Sequence, residues 1–260
     1  MAMTIEHQQT FKTCGKHAGV HIGGGSDQKG IGQYLTNDQF ESLKSIMNIR
    51  KIPKGSCLFW EGDDADKLYY IVSGQVKLLK SNEDGKDLIL SFLQKGDLIA
   101  QFNGFSGAQY GYGAETVTNA ELGVIMRKDL EELLVQGGDM ALKFMYWLGL
   151  NNQIIESKLR DLLLYGKTGA LASTLIRMSN SYGIPGIDGS IHIQLKLTNT
   201  ELGEMIGCTR ESVNRMLGDW KNDGTLDIEH GKLIIRQIDN LREYCRCPDS
   251  PRCPVQVCRL

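Results

Sequence analysis

The chain has 260 residues, 41% apolar and 23% charged, with a formal net charge of −2. That length allows one large domain or two of ordinary size, and the near-neutral balance excludes a chain that coats nucleic acid or anionic membrane by bulk charge. No run approaches the roughly 18 apolar residues of a membrane helix, and residues 1–30 lack an apolar stretch of signal-peptide type. The expectation is therefore a soluble cytoplasmic protein with reduced thiols and no membrane partner.

Residues 1–30 read as a flexible tail, with Gly23-Gly24-Gly25-Ser26 and no hydrophobic period. Cys14, His17 and His21 sit there at C-x2-H-x3-H spacing, but no fourth ligand is nearby, and incidental histidines are the plainer reading. Residues 36–48 predict a short helix opened by Thr36, with Phe40, Leu43 and Ile46 on one face.

From Arg50 to Met126 the period changes to short alternating runs, at 56–60, 67–72, 75–80, 87–93, 97–102, 115–117 and 121–126. Turn signals such as Ser73-Gly74, Asp84-Gly85 and Lys95-Gly96-Asp97 separate them. Evenly spaced short strands with glycine turns predict an antiparallel roll over residues 31–126, the candidate sensory domain. Residues 127–165 predict helices. The longer, from about Met140 to Tyr165, carries apolar residues at three- and four-residue steps, including Phe144, Trp147, Ile155, Leu159 and Leu162. A helix spanning ~35 Å outreaches a small roll and would expose its stripe in a monomer, so a dimer seam is expected.

Residues 166–242 read as a helix over 168–181, a loop over 183–189, a strand from Ile191 and then a helix-turn-helix. Thr198 with Glu201 forms a capping box, Gly207 suits a left-handed helix end, and Thr209 caps a second helix. Val213, Met216, Leu217 and Trp220 face inward, which leaves Arg210, Glu211, Asn214 and Arg215 outward. A hairpin wing follows, Thr225–Glu229 and Lys232–Arg236 about His230-Gly231. An exposed arginine and carboxylate stripe at a helix start suits base-edge readout, guanidinium to guanine and carboxylate to cytosine.

Four of the seven cysteines, Cys245, Cys247, Cys253 and Cys258, fall within the last sixteen residues, a cysteine-rich tail over residues 243–260. Pro248, Pro251 and Pro254 favour loops there. Clustered thiolates in a reducing compartment select soft metals, and spacing alone leaves zinc and an iron–sulfur cluster open.

This order, an antiparallel β-roll, a long dimerisation helix and a C-terminal winged helix-turn-helix in an α+β fold, resembles the CRP/FNR family of bacterial transcription regulators over roughly residues 31–240. The segments at 54–63, 68–76 and 95–97 look like the family's strand-turn signatures. Ile206-Gly-Cys-Thr-Arg-Glu-Ser-Val-Asn-Arg215 resembles its recognition helix. The resemblance implies a non-enzymatic regulator, homodimeric, with double-stranded DNA and RNA polymerase as partners. It also implies that Arg210, Glu211 and Arg215, flanked by Thr209 and Ser212, read a TGTGA-like half-site. Asn214 departs from the family pattern. Cyclic-nucleotide-binding members hold the phosphate with an arginine, whereas no Lys or Arg lies between Lys95 and Arg127. No cAMP is therefore expected, and a cyclic-nucleotide ligand stands as an alternative. The cysteine tail looks like that of Bacillus-type FNR regulators, which implies a [4Fe–4S] cluster sensing oxygen to control anaerobic genes. Its implied ligands are Cys247, Cys253 and Cys258, with Asp161 or Cys245 as fourth. A structural zinc is the alternative, and an ion-paired carboxylate is the plainer reading of Asp161.

Overall fold

The computed structural model describes residues 30–102, 108–248 and 253–260, so Cys14, His17 and His21 lie outside the described residues. A single 3-10 turn at Gly30–Gln33 leads into α1, Asn37–Ser45. The Thr36 hydroxyl accepts the Gln39 amide while the Gln39 side chain accepts the Thr36 amide, at 3.3 and 3.0 Å. That reciprocal cap starts the helix and turns Phe40 and Leu43 into the core.

Eight strands then build the roll: β1 Asn48–Ile52, β2 Cys57–Phe59, β3 Lys67–Ser73, β4 Gln75–Ser81, β5 Asp87–Gln94, β6 Leu98–Ile99, β7 Gly113–Thr116 and β8 Ala120–Met126. They pair antiparallel in two four-stranded sheets, β1-β8-β3-β6 and β2-β7-β4-β5. Period-two burial, as at Val76 and Leu78 of β4, gives each sheet one apolar face. Gly74 turns β3 into β4 at φ 88°, and a Cβ there would meet the Asn119 carbonyl at 2.6 Å, so only glycine fits. Rings fill the roll's interior: Phe59 stacks on Tyr110 with centroids 3.5 Å apart, and Tyr69 lies beyond at 5.6 Å. The pairing of β1 with β8 adds a strand that the sequence pattern did not mark, between the first helix and the run at 56–60.

Two helices follow, α2 Arg127–Gln136 and α3 Gly138–Tyr182. The latter bends at Gly166, whose φ 60° and ψ −165° divide it into the two helices expected from the sequence. Early in α3, Met140, Phe144 and Trp147 bury against Leu43, Leu68 and Ile125. Further along, Ile155, Leu159, Leu163 and Leu164 are exposed. After Gly166 the helix is enclosed: Leu171, Leu175 and Met178 form the core of the C-terminal domain with Leu202, Val213, Leu217 and Trp220.

One expectation needs correction. Gly183–Pro185, read as part of a loop, forms β9 and pairs with β10, Ile191–Ile193. It sits at the edge of the sheet β11-β12-β10-β9, where a proline's missing N–H costs nothing. Strand β10 is also shorter than the alternation suggested: its ladder runs on in register from the Gln194 amide to the Tyr182 carbonyl at 2.9 Å, where the partner is already the end of α3. The wing strands are β11, Leu226–Glu229, and β12, Lys232–Ile235. Among the described residues no helix is long and apolar enough to cross a membrane.

Candidate functional sites: a DNA-facing helix and a cysteine cavity

The helix-turn-helix comprises α4, Asn199–Ile206, and α5, Arg210–Asn222. Thr198 and Glu201 form the expected capping box, and Gly207 ends α4 at φ 63°, ψ 41°. Gly203 lets the turn close, since a Cβ there would stand 2.5 Å from the Cys208 carbonyl. The Thr209 hydroxyl accepts the Ser212 amide at 3.3 Å and starts α5. Val213, Met216, Leu217 and Trp220 bury, which fixes the rotation of α5 and turns Arg210, Glu211, Asn214 and Arg215 to the surface. Among the described residues no carboxylate ion-pairs with Arg210 or Arg215, so both guanidinium forks are available. The Glu211 carboxylate is held below the usual range by its own backbone N–H, the Thr209 hydroxyl and the Arg210 charge, so it stays an acceptor. Asn214 accepts a short hydrogen bond from the Asn199 side chain. Asn199 belongs to this surface without any signal in the sequence, because the two residues meet only when the helices cross.

The second site forms where the chain's end returns to α3. Helix α6, Ile238–Tyr244, packs through Tyr244 on Trp220 with ring centroids 5.3 Å apart. Its end is a Schellman turn: the Arg246 amide meets Glu243 O at 3.2 Å and the Cys247 amide meets Arg242 O at 2.9 Å. Arg246 takes the left-handed position at φ 44°, where glycine is usual. Cys247, Cys253 and Cys258 then line one cavity with Asp161, Arg160 and Arg177. The structure thus brings together four of the five predicted ligands. Cys245 is set apart, fully buried, with its thiol directed to Leu241 O at 3.4 Å and to the Cys247 sulfur at 3.5 Å.

Charge in this cavity is paired. Asp161 is 1% exposed and Arg177 3%. One carboxylate oxygen receives Arg177 at 2.8 Å and the other receives Arg160 at 2.6 and 2.9 Å. Among the described residues, no three His, Cys, Asp or Glu side chains already stand in ligating geometry. The Cys247 thiol is pulled down to about 7 by the hydrogen bond from Cys245, with Arg160 and Arg242 helping against burial and Asp161. Donation to Cys247 and burial push Cys245 up, and burial pushes Cys258 up. The Nε of Arg177 is buried without a partner.

The cavity's donor set fits an anionic thiolate-bound group. Three cysteines line it beside two guanidinium groups, one of them with a buried Nε–H that has no partner among the described residues. The tail is held there by residues that sequence reasoning missed. Arg177 reaches Val257 O at 3.1 Å, Asn180 reaches Cys258 O at 2.7 Å, and Ser181 Oγ accepts the Leu260 amide at 3.1 Å. Arg259 pairs with the buried Asp97 of the roll. A polar residue inside the buried helix, such as Arg177, was the available signal.

Comparison with known proteins identifies the family. Residues 49–136 match the cyclic nucleotide-binding domain family, and residues 169–244 match the Crp-like helix-turn-helix domain. The chain is 42% identical over 229 residues to the anaerobic regulatory protein of Bacillus subtilis, covering 87% of this chain and 94% of that one. It is 31% identical over 209 residues to the cAMP-activated global transcriptional regulator CRP of Salmonella typhimurium, covering 79% and 97%. The solved c-di-GMP responsive global regulator CLP of Xanthomonas campestris shares the fold, at TM-score 0.66 and 22% identity over 77% of this chain and 99% of that one. With its β-roll, long helix and Crp-like helix-turn-helix, the chain belongs to the CRP/FNR family of DNA-binding transcription regulators, which are not enzymes.

Proposed function

We propose that the protein is an oxygen-responsive regulator of anaerobic genes that reads a palindromic TGTGA-like site as a dimer and carries a [4Fe–4S] cluster in the cysteine cavity. The observation that carries this reading is the meeting of Cys247, Cys253, Cys258 and Asp161 at one cavity. The 42% identity to an anaerobic regulatory protein supports it. When bound, such a cluster supplies oxygen sensitivity through the iron chemistry of its thiolate cage.

The chain's own residues provide the coupling. Asp161 belongs to the part of α3 before Gly166, whereas Arg177, Asn180 and Ser181, which hold the tail, belong to the part after it. The cavity therefore straddles the bend between dimer helix and DNA-binding domain. To join a ligand set Asp161 would have to give up one of its guanidinium partners, Arg160 or Arg177; so engaged, it would tie the angle at Gly166, and with it the spacing of two α5 helices that must reach DNA about one turn, ~34 Å, apart. The exposed Ile155, Leu159 and Leu163 supply the seam of the homodimer. RNA polymerase is the expected partner on DNA.

A structural zinc is the second reading. The Cys245 and Cys247 sulfurs stand 3.5 Å apart, close to the ~3.7 Å that two thiolates on one tetrahedral zinc span. Iron and sulfide analysis with a visible spectrum of protein purified without air separates the two, since zinc thiolates are colourless there. Operator affinity measured before and after exposure to air tests the regulation, and unchanged affinity would sink the oxygen reading. No cAMP ligand is proposed. Phe59, Tyr110 and Tyr112 pack into the roll's interior, Tyr110 donates to Lys67 O at 2.6 Å, and a phosphate would find no cation in the 96–126 stretch. Tight cAMP binding in calorimetry would overturn that part.

A further inference from the structure

The tail carries one thiol more than a cluster held by three cysteines and Asp161 requires. Cys245 is 0% exposed, and its sulfur stands 3.5 Å from that of Cys247. Among the described residues no other two thiols hydrogen-bond to each other. The backbone sets this contact. Cys245 ends α6, Arg246 takes the left-handed turn at φ 44°, and the Cys247 amide is tied back to Arg242 O at 2.9 Å. Both cysteines are therefore held against one another by a hydrogen-bonded turn rather than by chance rotamers. Closing from this contact to a bonded ~2.05 Å requires an approach of about 1.5 Å.

We propose that Cys245 and Cys247 form a peroxide-oxidisable pair that closes to a disulfide when no metal occupies the tail. Cys247 is half-buried and Cys245 fully buried, so a small hydroperoxide meets Cys247 first. The Cys247 sulfur attacks one peroxide oxygen. An S–O bond forms, the O–O bond breaks, and the thiol proton leaves with the other oxygen as water or an alcohol. The Cys245 sulfur then attacks the sulfenic sulfur of Cys247. The S–S bond forms, the S–O bond breaks, and hydroxide leaves with the Cys245 proton as water. Two thiols are oxidised and one hydroperoxide is reduced. The product withdraws Cys247 from the cavity that also holds Cys253 and Cys258, so the tail cannot be loaded again until a thiol reductant opens it. The disulfide itself does not depend on whether the cavity takes iron or zinc; only this consequence rests on the proposed metal site.

The test uses the full-length chain, treated with a chelator and kept under argon, with one equivalent of hydrogen peroxide. Trypsin cuts after Arg242, Arg246 and Arg252, so the predicted bond joins peptide 243–246 to peptide 247–252 in non-reducing mass spectrometry. The expected result is that this linked pair outweighs every other disulfide at least tenfold and disappears with dithiothreitol. In Cys245→Ser the linked pair is lost and sulfenic acid trapped on Cys247 by dimedone rises at least fivefold. In Cys253→Ser/Cys258→Ser the linked pair persists, which shows that the bond needs neither of those sulfurs. Cys247 linked mainly to Cys253 or Cys258, or Cys245 recovered as a free thiol, would overturn the proposal. Iron or zinc content is read separately on untreated protein, so failure of the metal reading and failure of this one give different results.

Discussion

The recognition helix and the cysteine cavity hold comparable charges in opposite ways. On α5, Arg210 and Arg215 are exposed and without ion-pair partners among the described residues, so folding asks little of them, and in the proposed reading they meet the operator instead. In the cavity, Arg177 and Asp161 are both buried and paired with each other. Removing a charge from α5 should therefore alter binding and leave stability alone. Removing one from the cavity should do the reverse first, because an unpaired ion is stranded away from water.

The largest effect is expected at the buried pair. Arg177→Met leaves Asp161 with only the more exposed Arg160 and also frees Val257 O. A loss of about 3–5 kcal/mol in urea unfolding is expected. Arg177→Met/Asp161→Asn should recover more than half of it. Failure of the double variant to recover would mean that the arginine acts through the tail rather than through the carboxylate. Next, Arg210→Ala should weaken binding to a TGTGA-like palindrome by about 1–3 kcal/mol, roughly fivefold to 150-fold. Its melting temperature should not change. A parallel fall in stability would break the contrast between the two regions.

That contrast also explains what the sequence made legible. The helix-turn-helix is contiguous: caps at Thr198 and Thr209, Gly207 between them and an inward face at three- and four-residue steps are all local rules, and each reappears in the structure. The cavity joins residues 161, 177, 247, 253 and 258. The sequence named the thiols and Asp161 through chemistry and resemblance. It could not show Arg177 or Asn180 holding the tail, nor Arg259 reaching Asp97 across 162 positions, because such contacts exist only once α3 has bent at Gly166. β9 was missed for a related reason. Gly183 and Pro185 are poor strand formers alone, and pairing with β10 overrides their local preference.

A smaller effect tests the junction above the cavity. Lys158 donates to Leu90 O at 3.1 Å. Burial, aided by the positive charges of Arg177 and Arg259, lowers it to about 7. As pH falls from about 10 toward 7, the unfolded chain takes up a proton that the folded lysine refuses, so stability falls over that window and levels below it. Lys158→Met should therefore stabilise the protein at pH 7, by about 1–2 kcal/mol once the lost hydrogen bond is subtracted. The gain should fade toward pH 10. A gain that stays constant across that range would show that packing, not charge, is responsible.

The smallest expected effect lies at Arg246, where the two regions share a boundary: the last residue of α6, Tyr244, leans on Trp220 of α5, and three residues later the chain delivers Cys247 to the cavity. A non-glycine residue at φ 44° pays a steric penalty at its Cβ that glycine avoids. Arg246→Gly removes that penalty but also loosens the unfolded chain, so a net gain of about 0.5–1 kcal/mol is expected. Because the Schellman hydrogen bonds use backbone atoms only, the turn should persist and operator affinity should be unchanged. A loss of stability instead would mean that the arginine side chain, through its charge beside the cysteine tail, contributes more than the backbone strain it imposes.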